Sequence, residues 1–218
     1  MTGHQPLVAL VHATPASMAP AAASFAEAFP QARLWNLLDD TLISDAERAG
    51  RVTEDLRVRM RALIGYAVDG GADAVQLTCS MYGPVAHEVA DRHPVPVLAS
   101  DGALFDEVAR RAPRRALVLG PIEAGTRDTV SRLQGHVGAR TVVHGAVVAG
   151  AREALAAGSV AEAARLVSAA ARGAEAADLV VLGQFSLAPT HDAAQADLDV
   201  ALLSPAHLAA QALRSAIG

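Results

Sequence analysis

Apolar residues come in short unbroken runs rich in Val, Leu and Ala, each followed by a turn and a longer Ala-rich stretch with helical spacing. The runs predict eight strands: Leu7 to Val11, Ala32 to Leu37, Ala74 to Leu77, Val95 to Leu98, Ala116 to Leu119, Thr141 to His144, Leu179 to Leu182 and Val200 to Leu203. Strands that lack polar alternation and are separated by helices imply parallel sheets covered on both faces, an α/β fold. The clearest helix is Thr53 to Val68, where Thr53 supplies a cap and Leu56, Met60, Leu63, Ile64 and Ala67 form one apolar face. Gly70 and Gly71 follow as its stop signal.

The pattern repeats within the chain. ADAVQLTCSMYGP from Ala72 aligns without gaps on ADLVVLGQFSLAP from Ala177, 105 residues later. VPVLASDGALFDEVA from Val95 falls on DVALLSPAHLAAQAL from Asp199, which sets Ser100 against Ser204. Two stretches at nearly one offset predict two pseudo-symmetric βα lobes, each with a four-stranded parallel sheet, with an active-site cleft between them. The expected boundaries are 1–100 for the N-terminal lobe, with the C-terminal helix 205–218 packing back onto it, and 101–204 for the C-terminal lobe.

Composition removes whole chemistries. All 18 basic residues are Arg, so there is no Lys for a pyridoxal-phosphate Schiff base or a Walker-type phosphate loop. A net charge of −5 with scattered Arg gives no footprint for nucleic acid. One Cys makes neither an internal disulfide nor a Cys-rich zinc site, the eight His show no HExxH spacing, and no GxGxxG leads from a strand into a helix. No metal and no cofactor are therefore expected. LVALVHA is too short to span a membrane and has no basic stretch before it, so no membrane association and a cytoplasmic location are expected.

Ligand sites in open parallel sheets lie at the carboxyl ends of the strands. Those ends carry His12, Ala13 and Thr14; Asp39 and Asp40; Thr78, Cys79 and Ser80; Pro121 to Thr126; and Gly183 to Ser186. Cys79 follows a strand and precedes a helix expected near Tyr82, where backbone amides lower a thiol's pKa from about 8.5. A small buried hydrophobe is the plainer role for such a residue. His12 is either a second acid/base and carboxylate donor or a hydrogen-bonded strand-end histidine. Thr78 and Ser80 either bind a carboxylate or only shape the turn. Asp39 and Asp40 read as caps that stay ionised, and His191 with Asp192 as a loop pair that could supply an acid.

The two-lobed repeat, the Thr78-Cys79-Ser80 turn and the mirrored turn at Gly183 resemble the aspartate/glutamate racemase superfamily over essentially the whole chain. That group includes hydantoin racemase, maleate isomerase and arylmalonate decarboxylase. The resemblance implies two cysteines, one per lobe, that remove and deliver a proton at the carbon next to a carboxylate. Cys79 corresponds to the first of them. It further implies anion-binding roles for Thr126 and Ser186, a small carboxylate-containing substrate and a homodimer.

The second cysteine is missing, and the repeat puts Gln184 in its place. An amide has no titratable proton, although it can hold a carboxylate or enolate oxygen. Arylmalonate decarboxylase also keeps one cysteine, that of the second lobe, whereas this chain keeps the first. The expected function is a cofactor-independent enzyme that moves a proton next to a carboxylate by racemisation, isomerisation or decarboxylation. Cys79 is its catalytic residue, and His12, Thr14, Thr78, Ser80, Thr126, Gln184, Phe185 and Ser186 are its substrate-binding residues. Two other readings stay open: a non-catalytic module that binds small carboxylates, and a hydrolase or transferase with Cys79 as nucleophile and His12 as its base.

Overall fold

The structure, a computed structural model, describes residues 5–218. It contains two compact units: the first runs to Gly102 and takes in Ala209–Gly218, and the second is Ala103–Leu208. In the first unit the strands are β1 (Leu7–His12), β2 (Arg33–Leu38), β3 (Ala74–Leu77) and β4 (Val97–Leu98), joined by helices α1 (Met18–Ala28), α2 (Leu42–Ala49), α3 (Glu54–Asp69) and α4 (Gly83–Val89). Helix α5 (Gly102–Arg111) leads into the second unit, with strands β5 (Arg115–Gly120), β6 (Val142–Val147), β7 (Leu179–Leu182) and β8 (Ala201–Leu203). Its other helices are α6 (Glu123–Val137), α7 (Ala151–Ala156), α8 (Val160–Gly173) and α9 (His191–Ala196), and α10 (Pro205–Ile217) carries the chain back to the first.

Each unit holds a four-stranded, all-parallel sheet, in the order β2-β1-β3-β4 or β6-β5-β7-β8. The central strands are mostly apolar because both faces are covered: Val8, Ala9, Leu10 and Val11 are all 0% exposed although successive side chains point to opposite faces. In the second unit, Leu117, Leu119, Val180 and Leu182 pack with Val167 of α8. Val118 and Val181 face the other way, toward Phe105 of α5 and Leu133 of α6. Strands β2 and β6 lie at sheet edges, and nearly all of their residues are exposed or only partly buried.

Helix α3 begins at the residue after Thr53, whose hydroxyl accepts from the Leu56 amide at 3.4 Å. Leu56, Met60, Ile64 and Ala67 are buried on its inner face, with Leu63 at the margin. Met60 is fully buried, so Met60→Ala costs about 2–5 kcal/mol.

The repeat is visible in the hydrogen bonds. Asp73 accepts from the Leu7 amide at 2.7 Å, and Asp178 accepts from the Arg115 amide at 3.0 Å. Each aspartate thereby pins the first residue of the strand beside its own. β3 and β7 match the sequence reading, the other six strands differ in their bounds, and β4 and β6 differ most. β4 is only Val97–Leu98, because Pro96 has no amide to donate, although its carbonyl still accepts from Val75 at 2.8 Å. β6 runs on through Gly145 to Val147, and at Gly145 a Cβ would lie 2.8 Å from Val130 of α6, so glycine is what lets that helix approach.

Candidate active site

In the first unit, β1 and β3 end side by side, with Val11 paired to Leu77. Past that pair the Thr78 amide donates to the Val11 carbonyl at 3.1 Å. Cys79 follows in extended conformation (φ −117°, ψ 120°), and its carbonyl accepts from the Tyr82 amide at 3.2 Å, closing a 3-10 turn over Ser80–Tyr82. Regular helix starts one residue later, at Gly83. The thiol belongs to a residue 7% exposed, and the neighbouring Tyr82 is fully buried with its hydroxyl donating to the Leu42 carbonyl at 2.9 Å. Burial, reinforced by negative charge on Cys79, pushes the Tyr82 hydroxyl up to about 12.

Beside this turn lies a buried polar network. His12 Nδ1 is 2.8 Å from Thr78 Oγ1 and 3.0 Å from Ser17 Oγ, Ser17 Oγ is 2.9 Å from Thr78 Oγ1, and His12 Nε2 is 2.9 Å from Asn36 Oδ1. His12 is fully buried; burial lowers its pKa, against a smaller upward pull from Asn36. It is therefore a neutral imidazole with both nitrogens engaged by the protein. Thr14 sits half-buried at the edge of the network and caps the turn Pro15–Ser17. Ser80 is half-buried beside the thiol residue.

The second unit repeats the backbone with other side chains. The Gly183 amide donates to the Leu119 carbonyl at 2.7 Å, Gln184 is extended (φ −145°, ψ 148°), and its carbonyl accepts from the Leu187 amide at 3.1 Å. The Gln184 side chain lies against the first turn of α6, where a Cβ on Gly125 would come within 2.3 Å of its Nε2. Thr126 is buried, with its hydroxyl donating to the Ile122 carbonyl at 2.7 Å. Phe185 is core and Ser186 is half-buried.

The structure thus joins His12 to Thr78 and sets Gln184 against the residue before Thr126. It adds Ser17 and Asn36, which the sequence reading missed. The one signal for Asn36 was a lone amide in the apolar strand RLWNLL. Asp39 accepts from the Thr41 amide and hydroxyl and pairs with Arg59 at 2.5 Å. Burial raises its pKa, but the Arg59 and Thr41 hydrogen bonds outweigh that and hold the carboxyl below its ordinary value. His191 is held between Asp192 (2.8 Å) and the Leu202 carbonyl (2.9 Å), and its ring lies 4.9 Å from that of His207 at a tilt of 34°. Among the described residues no group of three His, Cys, Asp or Glu is placed to hold a metal ion, and no helix is long and apolar enough to cross a membrane.

Comparison with solved structures places the fold. An aspartate racemase homologue from Pyrococcus horikoshii matches with a TM-score of 0.73 at 18% identity, covering 97% of this chain and 100% of that one. Allantoin racemase from Klebsiella pneumoniae matches at 0.71 and 15% identity, covering 97% and 87%. A mutant of arylmalonate decarboxylase in a sulfate-associated form matches at 0.65 and 17% identity, covering 98% and 94%. Comparison with curated proteins gave no match. The family model for Asp/Glu/hydantoin racemase matches residues 11–213, from the end of β1 into α10, and the chain belongs to that family.

Proposed function

We propose that this protein is a cofactor-independent enzyme that moves a proton at a carbon next to a carboxylate, with the Cys79 thiol as its one acid/base. The observation that carries the reading is the pair of equivalent turns. Cys79 and Gln184 occupy the same step of the same hydrogen-bonded backbone, and only Cys79 has a proton to exchange. Membership of a racemase family supports it.

In this reading a Cys79 thiolate takes the α-proton, the electron pair of the C–H bond moves into the carboxylate to give an enediolate, and the thiol returns a proton to carbon. In the decarboxylating variant, loss of carbon dioxide leaves the enediolate, Cys79 protonates it, and water restores the thiol. Gln184, at the equivalent step of the second unit, has no titratable proton and takes no part in the proton transfer. Thr14 and Ser80, half-buried in the same unit as Cys79, supply further polar contacts. Both His12 nitrogens are engaged with Thr78, Ser17 and Asn36, which weighs against a nucleophilic Cys79 served by that base.

The test is α-hydrogen exchange in D₂O, followed by NMR, over a panel of amino acids, 2-substituted malonates and hydantoins. Exchange or decarboxylation is expected on at least one substrate and should fall about 10²–10⁴-fold in Cys79→Ser. Turnover retained in that variant overturns the thiol assignment. Gln184 favours a second reading, a carboxylate-binding module, for which the same spectra would show binding-induced shifts without exchange on any compound.

A further inference from the structure

The distances around His12 fix a direction for its hydrogen bonds. Asn36 Oδ1 only accepts, so His12 Nε2 carries the ring proton and Nδ1 is an acceptor. Thr78 and Ser17 have one hydroxyl proton each. The Thr78 hydroxyl is 2.8 Å from Nδ1 but 3.4 Å from the Val11 carbonyl, and the Ser17 hydroxyl is 2.9 Å from Thr78 Oγ1, 3.0 Å from Nδ1 and 3.1 Å from the Thr14 carbonyl. Choosing the shortest contact each time gives a single chain: Ser17 donates to Thr78, Thr78 to His12, and His12 to Asn36. Its members come from β1, β2, the end of β3 and the turn before α1.

The chain has no counterpart in the second unit. Strand register sets Val11 beside Leu77 and Leu119 beside Leu182, so the residues equivalent to His12 and Thr78 are Gly120 and Gly183. Neither can form such a bond, and Thr126 fills the space beside Gly120, its Oγ1 2.1 Å from where a Cβ would stand. The fold evidently makes this turn with glycines, so a buried histidine and two hydroxyls are not required to form it. They are present only where the turn carries the thiol.

We infer that His12 is a positioning residue: its Nδ1 fixes the Thr78 side chain and, through the Thr78–Cys79 peptide, the place of the Cys79 sulfur. Thr78 is then held at two points, by its amide on Val11 and its hydroxyl on His12. The peptide that leads into Cys79 has little freedom left. The inference rests on the reading of Cys79 as the proton-carrying group, and displacement of a reacting group by about 1 Å costs on the order of 10²-fold in rate.

Two substitutions separate the limbs of the network. His12→Asn keeps an acceptor near the place of Nδ1 and loses the bond to Asn36, whereas His12→Gln keeps a donor near Nε2 and loses the bond to Thr78. Thr78→Val removes the hydroxyl with little change of shape. Cys79 is the one thiol, so the rate of iodoacetamide alkylation against pH reads its environment without any substrate. In His12→Gln and Thr78→Val the alkylation profile should depart from that of the native protein, and kcat for α-hydrogen exchange should fall about 10–100-fold with KM unchanged. His12→Asn should stay close to native on both measures, and adding Thr78→Val to His12→Gln should cost little more than either alone.

Native profiles in His12→Gln and Thr78→Val overturn the inference, as does an equal change in His12→Asn and His12→Gln. If His12→Gln fails to fold by circular dichroism, the comparison of Thr78→Val with native protein decides. A native protein that exchanges no substrate refutes the proposed function, while the alkylation arm still judges the positioning of the thiol.

Discussion

Removing the Tyr82 hydroxyl tests how the thiol's surroundings are built. Tyr82 is fully buried and donates to the carbonyl of Leu42 in the first turn of α2, so Tyr82→Phe deletes one buried hydrogen bond with almost no change in packing. At neutral pH the loss should be about 0.5–1.5 kcal/mol, or about 1–6 °C in Tm for a chain of this size. A second effect appears in alkali. The ordinary tyrosine value of 10.0 holds in the unfolded chain, but in the folded protein ionisation is pushed up to about 12, first by burial and then by charge on Cys79. Between those values the unfolded state gives up its proton and the folded state does not. Stability is then lost as pH rises through this window, by up to about 2.7 kcal/mol at 1.36 kcal/mol per unit. Chemical denaturation followed by the fluorescence of Trp35, the one tryptophan and a residue of the same unit, would be run from pH 7 to 11.5 on native protein and variant with reductant present. The variant should start lower and decline less steeply above pH 10. Parallel profiles above pH 10, or equal stability at pH 7, would show that the hydroxyl is neither buried nor bonded as described.

The two pinning aspartates should differ in worth: Asp73→Ala leaves the Leu7 amide without a carboxylate in a part-buried setting and costs about 1–2 kcal/mol, whereas Asp178→Ala, at an exposed position, costs under about 1 kcal/mol in the same denaturation assay. Folding lowers the His12 pKa below its ordinary 6.5, so the unfolded chain takes up a proton first as pH falls. Native stability should therefore drop from pH 6.5 downward into the lowered range, and His12→Asn, which cannot titrate, should lack that part of the drop when compared by denaturation at pH 7.5 and 5.

The central strands were legible because burial on both faces removes alternation: LVAL, AVQL and LVVL can be read as strands from the runs alone. The lengths of β4 and β6 were not, since they depend on which amides find partners. Pro96 ends a ladder that its apolar neighbours would have extended, and Gly145 continues one that a sequence reader stops at, because its worth lies in the room it leaves for Val130. The cap at Thr53 was legible because its partner, Leu56, is three residues away. The distinction is one of sequence distance. Contacts set by local spacing can be read from the chain, and contacts set by the packing of separate elements cannot.

The same distinction divides the site. Cys79 stood out as the one thiol, placed just after a buried strand, and the repeat brought Gln184 into view without any structure. The partners that hold Thr78 did not, because Ser17 is 61 residues away from it and Asn36 meets His12 across 24. A repeat in the sequence reports what two units share, namely the strands, the pinning aspartates and the 3-10 turns. The network at His12 is what they do not share, and comparison of aligned halves registers it only as a histidine and a threonine opposite two glycines. That mismatch becomes informative once strand register shows that the two pairs occupy equivalent places. The scaffold is therefore duplicated while the side chains of the proposed site are not, and in a duplicated fold the positions where the halves disagree beneath an agreed backbone are the ones to substitute first.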